Sequence, residues 1–134
     1  MTVPSTARVL HAALTLSAML IVGVVVVLSR LSPPAAPQLT TVLRAAAGAE
    51  ILTIAVLMKV VTAQVEPLRM GEDAGAWWAA QAPRAIVLWA LAEATAAIGG
   101  VFWFLTRDLL VLVALGGFGL GALLWTRPGR LVSG

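Results

Sequence analysis

The chain has 134 residues, 60% of them hydrophobic and only 11% charged, with a net charge of +3 and no cysteine. Soluble domains carry roughly 25% charged residues, so the polar side chains here are too few to cover a water-facing surface, and lipid is the implied solvent. The missing cysteine excludes disulfides, thiolate metal sites, c-type haem attachment and a cysteine nucleophile, and arginines that sit at the ends of apolar runs form no nucleic-acid patch.

The first apolar run, Val9 to Leu28, follows Arg8 and stops at Ser29-Arg30. At 1.5 Å per residue its length matches the roughly 30 Å of a hydrocarbon core, which predicts a first transmembrane helix over about 9–29. A cleaved signal peptide is the competing reading, but its apolar core would be only about 7–15 residues long. Pro33, Pro34 and Pro37 make a short extended linker, and a second span is expected over about 41–64. The stretch over about 65–83, with Glu66, Arg69, Glu72 and Asp73, is polar and reads as a loop. Trp77 and Trp78 within it are expected to be interfacial anchors, because indole rings favour the headgroup level, and Pro83 suits the first turn of the next helix.

The third span is expected over about 84–106 and the fourth over about 109–126, with Trp125 as a further interfacial anchor. Only Arg107 and Asp108 separate these two spans. A continuous helix would bury both charges in hydrocarbon, so a tight hairpin is the cheaper solution. The predicted fold is therefore all-α, a polytopic bundle of four transmembrane helices forming a single transmembrane domain over 1–134. Arg8, Arg69, Arg84, Arg127 and Arg130 fall on one side, with Lys59 able to snorkel that way, and Arg30, Arg44 and Arg107 fall on the other. The excess predicts cytoplasmic termini in a bacterial-type inner membrane.

Two spans carry one glutamate each. Glu50 and Glu93 both lie about nine residues inside their spans, roughly 13 Å from the end, too deep to reach water easily. Each carboxyl is expected to be neutral and to serve as a candidate proton or sodium site. Lys59 is nine residues from Glu50, on the opposite side of the same helix, and so is not its partner. Ala90, Ala97 and Gly100 flank Glu93, and Ala46, Ala47 and Thr53 flank Glu50. Both carboxyls are therefore expected to face packed protein. Gly117 and Gly121 give the fourth span a small-xxx-small spacing suited to close helix contact.

The segment Ala90-Leu91-Ala92-Glu93-Ala94-Thr95-Ala96-Ala97-Ile98-Gly99-Gly100-Val101 resembles the carboxylate helix of rotary ATPase proteolipid (c-type) subunits. The likeness rests on an alanine three before the glutamate, an alanine after it and a glycine six further on. Ala47-Gly48-Ala49-Glu50-Ile51-Leu52-Thr53-Ile54 resembles the same motif more loosely. The resemblance implies subunits whose mid-membrane glutamate binds and releases a proton or sodium ion.

His11, the sole histidine, lies near the start of the first span. One histidine can ligate a chlorophyll-type magnesium, but bis-histidine haem ligation within one chain is excluded. No Ser-His-Asp set, HExxH or glycine-rich phosphate loop occurs, so no enzyme is expected. The functional expectation is a small integral subunit of a larger membrane assembly or homo-oligomer, its partners being lipids and other membrane chains, with the glutamates used for helix packing and no cofactor required. A proton- or sodium-translocating subunit using Glu93, and an accessory pigment- or haem-protein subunit, stand as alternatives.

Overall fold

A computed structural model describes residues 4–133, and every regular element among them is helical. The long elements are α1 (Ser5–Ser29), α2 (Thr40–Ala63), α3 (Ala74–Thr106) and α4 (Leu109–Trp125), followed by the short α5 (Pro128–Ser133). A single 3-10 turn, Pro37–Leu39, leads into α2. The segments Ser5–Ser29, Pro37–Ala63 and Ala74–Thr106 are each long and apolar enough to cross a bilayer, which marks the chain as an integral membrane protein. In that solvent an unpaired backbone amide costs several kcal/mol, so even the β-branched run Val24 to Val27, a poor helix former in water, winds into α1.

The third helix begins about ten residues earlier than the sequence suggested. Asp73 caps it, its carboxylate accepting from the Ala76 amide at 2.9 Å, and Pro83 lies inside the helix rather than at its start. The lost bond to the Ala79 carbonyl is tolerated because both residues are exposed, where water or headgroups satisfy the carbonyl. Trp77 and Trp78 are consequently helical and nearly sealed in the core, only 4% and 5% exposed, rather than loop anchors. Their rings meet edge to face at 5.2 Å, and the Trp77 indole N–H donates to the Glu66 carbonyl at 2.7 Å. At 33 residues α3 is about 50 Å long, so part of it extends past the hydrocarbon or the helix tilts.

Around α3 the other helices are arranged by a few specific contacts. Trp103 reaches Ser29 at the end of α1, and Trp89 meets His11 near its start, so α1 lies alongside α3 in the same direction. On α2, Arg44 reaches Asp108, and Ala47 packs with Val111 and Leu115. α4 runs back along α3. A Cβ added at Gly119 would stand 2.5 Å from the Ala92 carbonyl oxygen, and one at Gly99 would stand 2.8 Å from the Leu115 Cβ. Gly100 faces Val25 of α1. Gly117 and Gly121, expected to be the packing glycines, are exposed, with nothing within 4 Å of an added Cβ. The glycine of α4 that packs is Gly119, about half a turn away on the opposite face.

The reason lies in the winding of α4. Apart from Gly116, its buried residues Val111, Leu115, Gly119 and Leu123 recur every fourth position, a spacing that drifts about 40° per step in a regular α-helix. The π-wound turn Leu112–Gly116 takes up part of that drift and keeps the stripe against α3. Gly119→Val is expected to destabilise the bundle by roughly 1–3 kcal/mol or more, because the clash is with backbone, whereas Gly121→Val leaves stability unchanged. Thermal or denaturant unfolding in detergent, followed by circular dichroism, distinguishes the two; equal losses would refute this account of the interface.

Candidate functional site

Neither mid-span glutamate is where a packed carboxyl would be. Glu50 and Glu93 are both partly exposed, and among the described residues no hydrogen bond or ion pair reaches either carboxylate. Nor are their oxygens sealed away: the Trp78 indole nitrogen is the one buried side-chain polar atom without a partner among those residues. Glu93 sits at the margin of the α1-facing side of α3, next to Ala90 and Ala94, which are exposed, while Ala97 is half-buried. Ala90 is thus not a buried packing residue within the chain. Glu50 lies at the edge of the α2 surface that carries Ala47 and Ile51. Ala46 and Thr53 beside it are exposed, and the Thr53 hydroxyl bonds back to the Ala49 carbonyl within the helix. The two glutamates do not meet. No group of three or more His, Cys, Asp or Glu capable of holding a metal occurs among the described residues.

Polar side chains are instead consumed at the two ends of the bundle. At one end Asp108 takes a two-pronged contact from Arg44, with Nε 2.6 Å and Nη2 3.2 Å from its oxygens. The same carboxylate caps α4 by accepting from the Leu110 amide at 3.2 Å. Arg44 is half-exposed while Asp108 is buried, so the carboxylate depends on the pair more than the guanidinium does. The Arg44 hydrogen bond holds the Asp108 carboxyl below the ordinary carboxylate range, against the opposing push of its own burial. Beside it, Arg107 adopts a left-handed conformation with φ of 59°, ending α3 where glycine is usual. Its guanidinium donates to the Trp103 and Phe104 carbonyls at the helix end and to the Ser32 carbonyl at 2.9 Å.

At the other end the last carbonyls of α4 find donors on neighbouring helices. His11 Nε2 donates to the Leu123 carbonyl at 2.7 Å, and the Trp89 indole donates to the Thr126 carbonyl at 2.8 Å. These are helix-end groups with no partner inside their own helix. The histidine weighed as a pigment ligand therefore has one ring nitrogen committed to holding α1 on α4, and its ring lies edge-on to Trp89 at 5.2 Å. Trp125 is 62% exposed, with the Arg130 guanidinium 3.5 Å from its ring centre. Lys59 is exposed on α2 and lines a groove with α4.

Sequence reasoning missed both end networks. The signal was present in the arrangement of the spans: antiparallel neighbours bring the first turn of the second span to the turn between the third and fourth. That placement joins Arg44 to Asp108. Compared with known protein families, curated proteins and solved structures, the chain matches none.

Because the folded carboxyl of Asp108 titrates below its unfolded counterpart, its pairing stabilises the fold above the unfolded value and is lost as pH falls through the lower folded one. Wild type is expected to lose unfolding stability below about pH 4 more steeply than Asp108→Asn, which lacks that titration. Matched pH dependences in detergent-solubilised protein would overturn the assignment.

Proposed function

We propose that the protein is a small integral subunit of a membrane assembly, docked on neighbouring membrane chains through the faces that carry Glu93 and Glu50. The observation behind this reading is that both carboxyls lie deep in apolar helices, reach the surface and have no partner within the described residues. Facing acyl chains, such groups cost several kcal/mol if ionised, and a neighbouring helix offers the hydrogen bonds that lipid lacks. The outward character of two helices supports it too. Only 11% of the apolar windows of α1 and of Pro37–Ala63 is buried, against 44% for α3, so most of their surface is left for lipid or partners.

On this reading the chain crosses the membrane four times, with α3 and α4 as a tight hairpin turning at Arg107 and Asp108. α4 is about 25 Å long, adequate for a crossing whose ends are fixed by Asp108 at one side and by His11 and Trp89 at the other. Arg30, Arg44 and Arg107 lie at the turn end, whereas Arg8, Arg69, Arg84, Arg127 and Arg130 lie at the end holding the 64–73 connection. That asymmetry favours cytoplasmic termini.

A second reading, in which Glu93 carries a proton or sodium ion as the proteolipid resemblance implies, draws on the opening of its carboxyl beside exposed Ala90 and Ala94. Glu93→Gln separates the two. If the glutamate is hydrogen-bonding glue, the variant keeps its co-purifying partners in mild detergent and proteoliposome proton flux matches wild type. If it is an ion site, partners are retained but flux is lost, and dicyclohexylcarbodiimide labelling of Glu93 in wild type blocks the flux. A chain that stays monomeric and alone, both in detergent and after cross-linking in native membranes, would overturn the assembly reading.

A further inference from the structure

Between α2 and α4 runs an open groove of about 710 Å³, lined by Ala55, Lys59, Ala63, Gly117 and Gly121 among others. Small residues line much of it, a feature that favours helix contact, and Met58, Phe118 and Trp125 stand among them. Its one charged lining residue is Lys59, and the sole ion pair among the described residues is Arg44 with Asp108, so Lys59 has no carboxylate there. The chain thus carries an unpaired cation in a helix-sized groove and an unpaired carboxylate, Glu93, at the margin of an exposed α3 face that holds Ala90 and Ala94 together with Ile86 and Val101.

Their depths agree. Gly119 is seated on Ala92 and Ala96, so Gly121 and Ala122, which line the groove with Lys59, are level with the turn of α3 that holds Glu93. Lys59 and Glu93 therefore lie within about one helical turn of the same depth, roughly 5 Å. Glu50, nine residues before Lys59 on α2, is about 13 Å away in depth. Their directions are opposed. Ala92, Ala96 and Gly99 form the side of α3 against α4, and Ala90 and Ala94 point the other way, with Glu93 at their margin. The groove opens on the far side of the bundle, at the seam of α2 and α4.

We infer that copies of this chain associate head to tail, the Glu93 face of α3 of one copy entering the Lys59 groove of the next. This rests on the assembly reading above and names the partner as a second copy. Surfaces on opposite sides at equal depth cannot pair isologously about a two-fold axis along the membrane normal, so the contact is heterologous, giving a ring where the rotation between copies closes and an open row where it does not. The ion pair satisfies both charges inside the membrane, and it fixes the register because Glu50 is at the wrong height.

The chain has no cysteine, so single engineered ones report contacts cleanly. Ala94→Cys and Ala55→Cys copies, co-expressed in one membrane and oxidised, are expected to give a mixed disulfide dimer, and neither alone a same-site dimer. Glu93→Lys or Lys59→Glu in the cysteine-bearing copies should remove the mixed dimer, and combining Glu93→Lys in one copy with Lys59→Glu in the other should restore it. Circular dichroism and size exclusion of each variant verify folding. Same-site dimers as abundant as the mixed one, a yield indifferent to charge reversal, or native mass spectrometry showing only monomer with phospholipid retained would each overturn the head-to-tail contact. Should Ala94→Cys instead cross-link to a different membrane protein, the self-association falls while the assembly reading stands; no protein neighbour at all removes both.

Discussion

The approach of α4 to α3 at Gly119 and Gly99 sets the geometry on which the contacts of α4 with α1 and α2 depend. Lipid tails are as apolar as leucine, so helices in a bilayer gain little from burying apolar surface against one another, and close packing of small residues takes over. At Gly119 the added Cβ would stand 2.6 Å from the Ala96 amide as well as 2.5 Å from the Ala92 carbonyl oxygen, so the backbones are nearly in contact. With α3 and α4 held that closely, the end of α4 falls within reach of Trp89, and the start of α1 can place His11 under the Leu123 carbonyl. At the other end the same spacing delivers Asp108 to Arg44 on α2. The flanking helices are thus fastened at their ends to a clamped central pair.

This division explains why the polar groups of the chain behave so differently. Those near the ends of helices satisfy carbonyls and amides that a helix leaves open, and in an apolar solvent each such group is expensive to leave unmet. Arg107 is the extreme case. It accepts a left-handed backbone, unusual for a side-chain-bearing residue, while its guanidinium gathers carbonyls from the end of α3 and from the linker after α1. The two glutamates midway along their helices serve no such purpose inside the chain.

Much of this was legible in the sequence. Apolar runs of bilayer length gave α1, α2 and the later part of α3, and the charge pair at 107 and 108 marked the break before α4. What could not be read was which side of each helix packs. Gly117 and Gly121 show the spacing of a packing motif, but the buried stripe of α4 runs through Val111, Leu115, Gly119 and Leu123, kept against α3 by the π-wound turn, and small size alone does not tell the two faces apart. Proline favours the first turn of a helix, yet Pro83 sits exposed inside α3, where its missing bond is harmless. With α3 extended back to Ala74, Trp77 and Trp78 were carried from an apparent loop into the core. Glu50 and Glu93 were found by depth alone. Their surroundings were not, because neighbours of small size are common to packed faces and to faces waiting for a partner.

Depth and direction together carry more than either does alone. A lone carboxyl at mid-membrane is compatible with glue, with an ion site or with an incidental cost, and nothing about its depth chooses among them. A carboxyl and an ammonium at matching depth, on opposite sides of one bundle and each beside small residues, constrain the answer further, because only translation or rotation of one copy onto another brings them together. The bilayer supplies the rest of the constraint: it fixes all copies at the same height and nearly the same tilt, so a pairing allowed in one register excludes the others. In the proposed head-to-tail contact, each of the two unpaired charges meets its counterpart on the neighbouring copy.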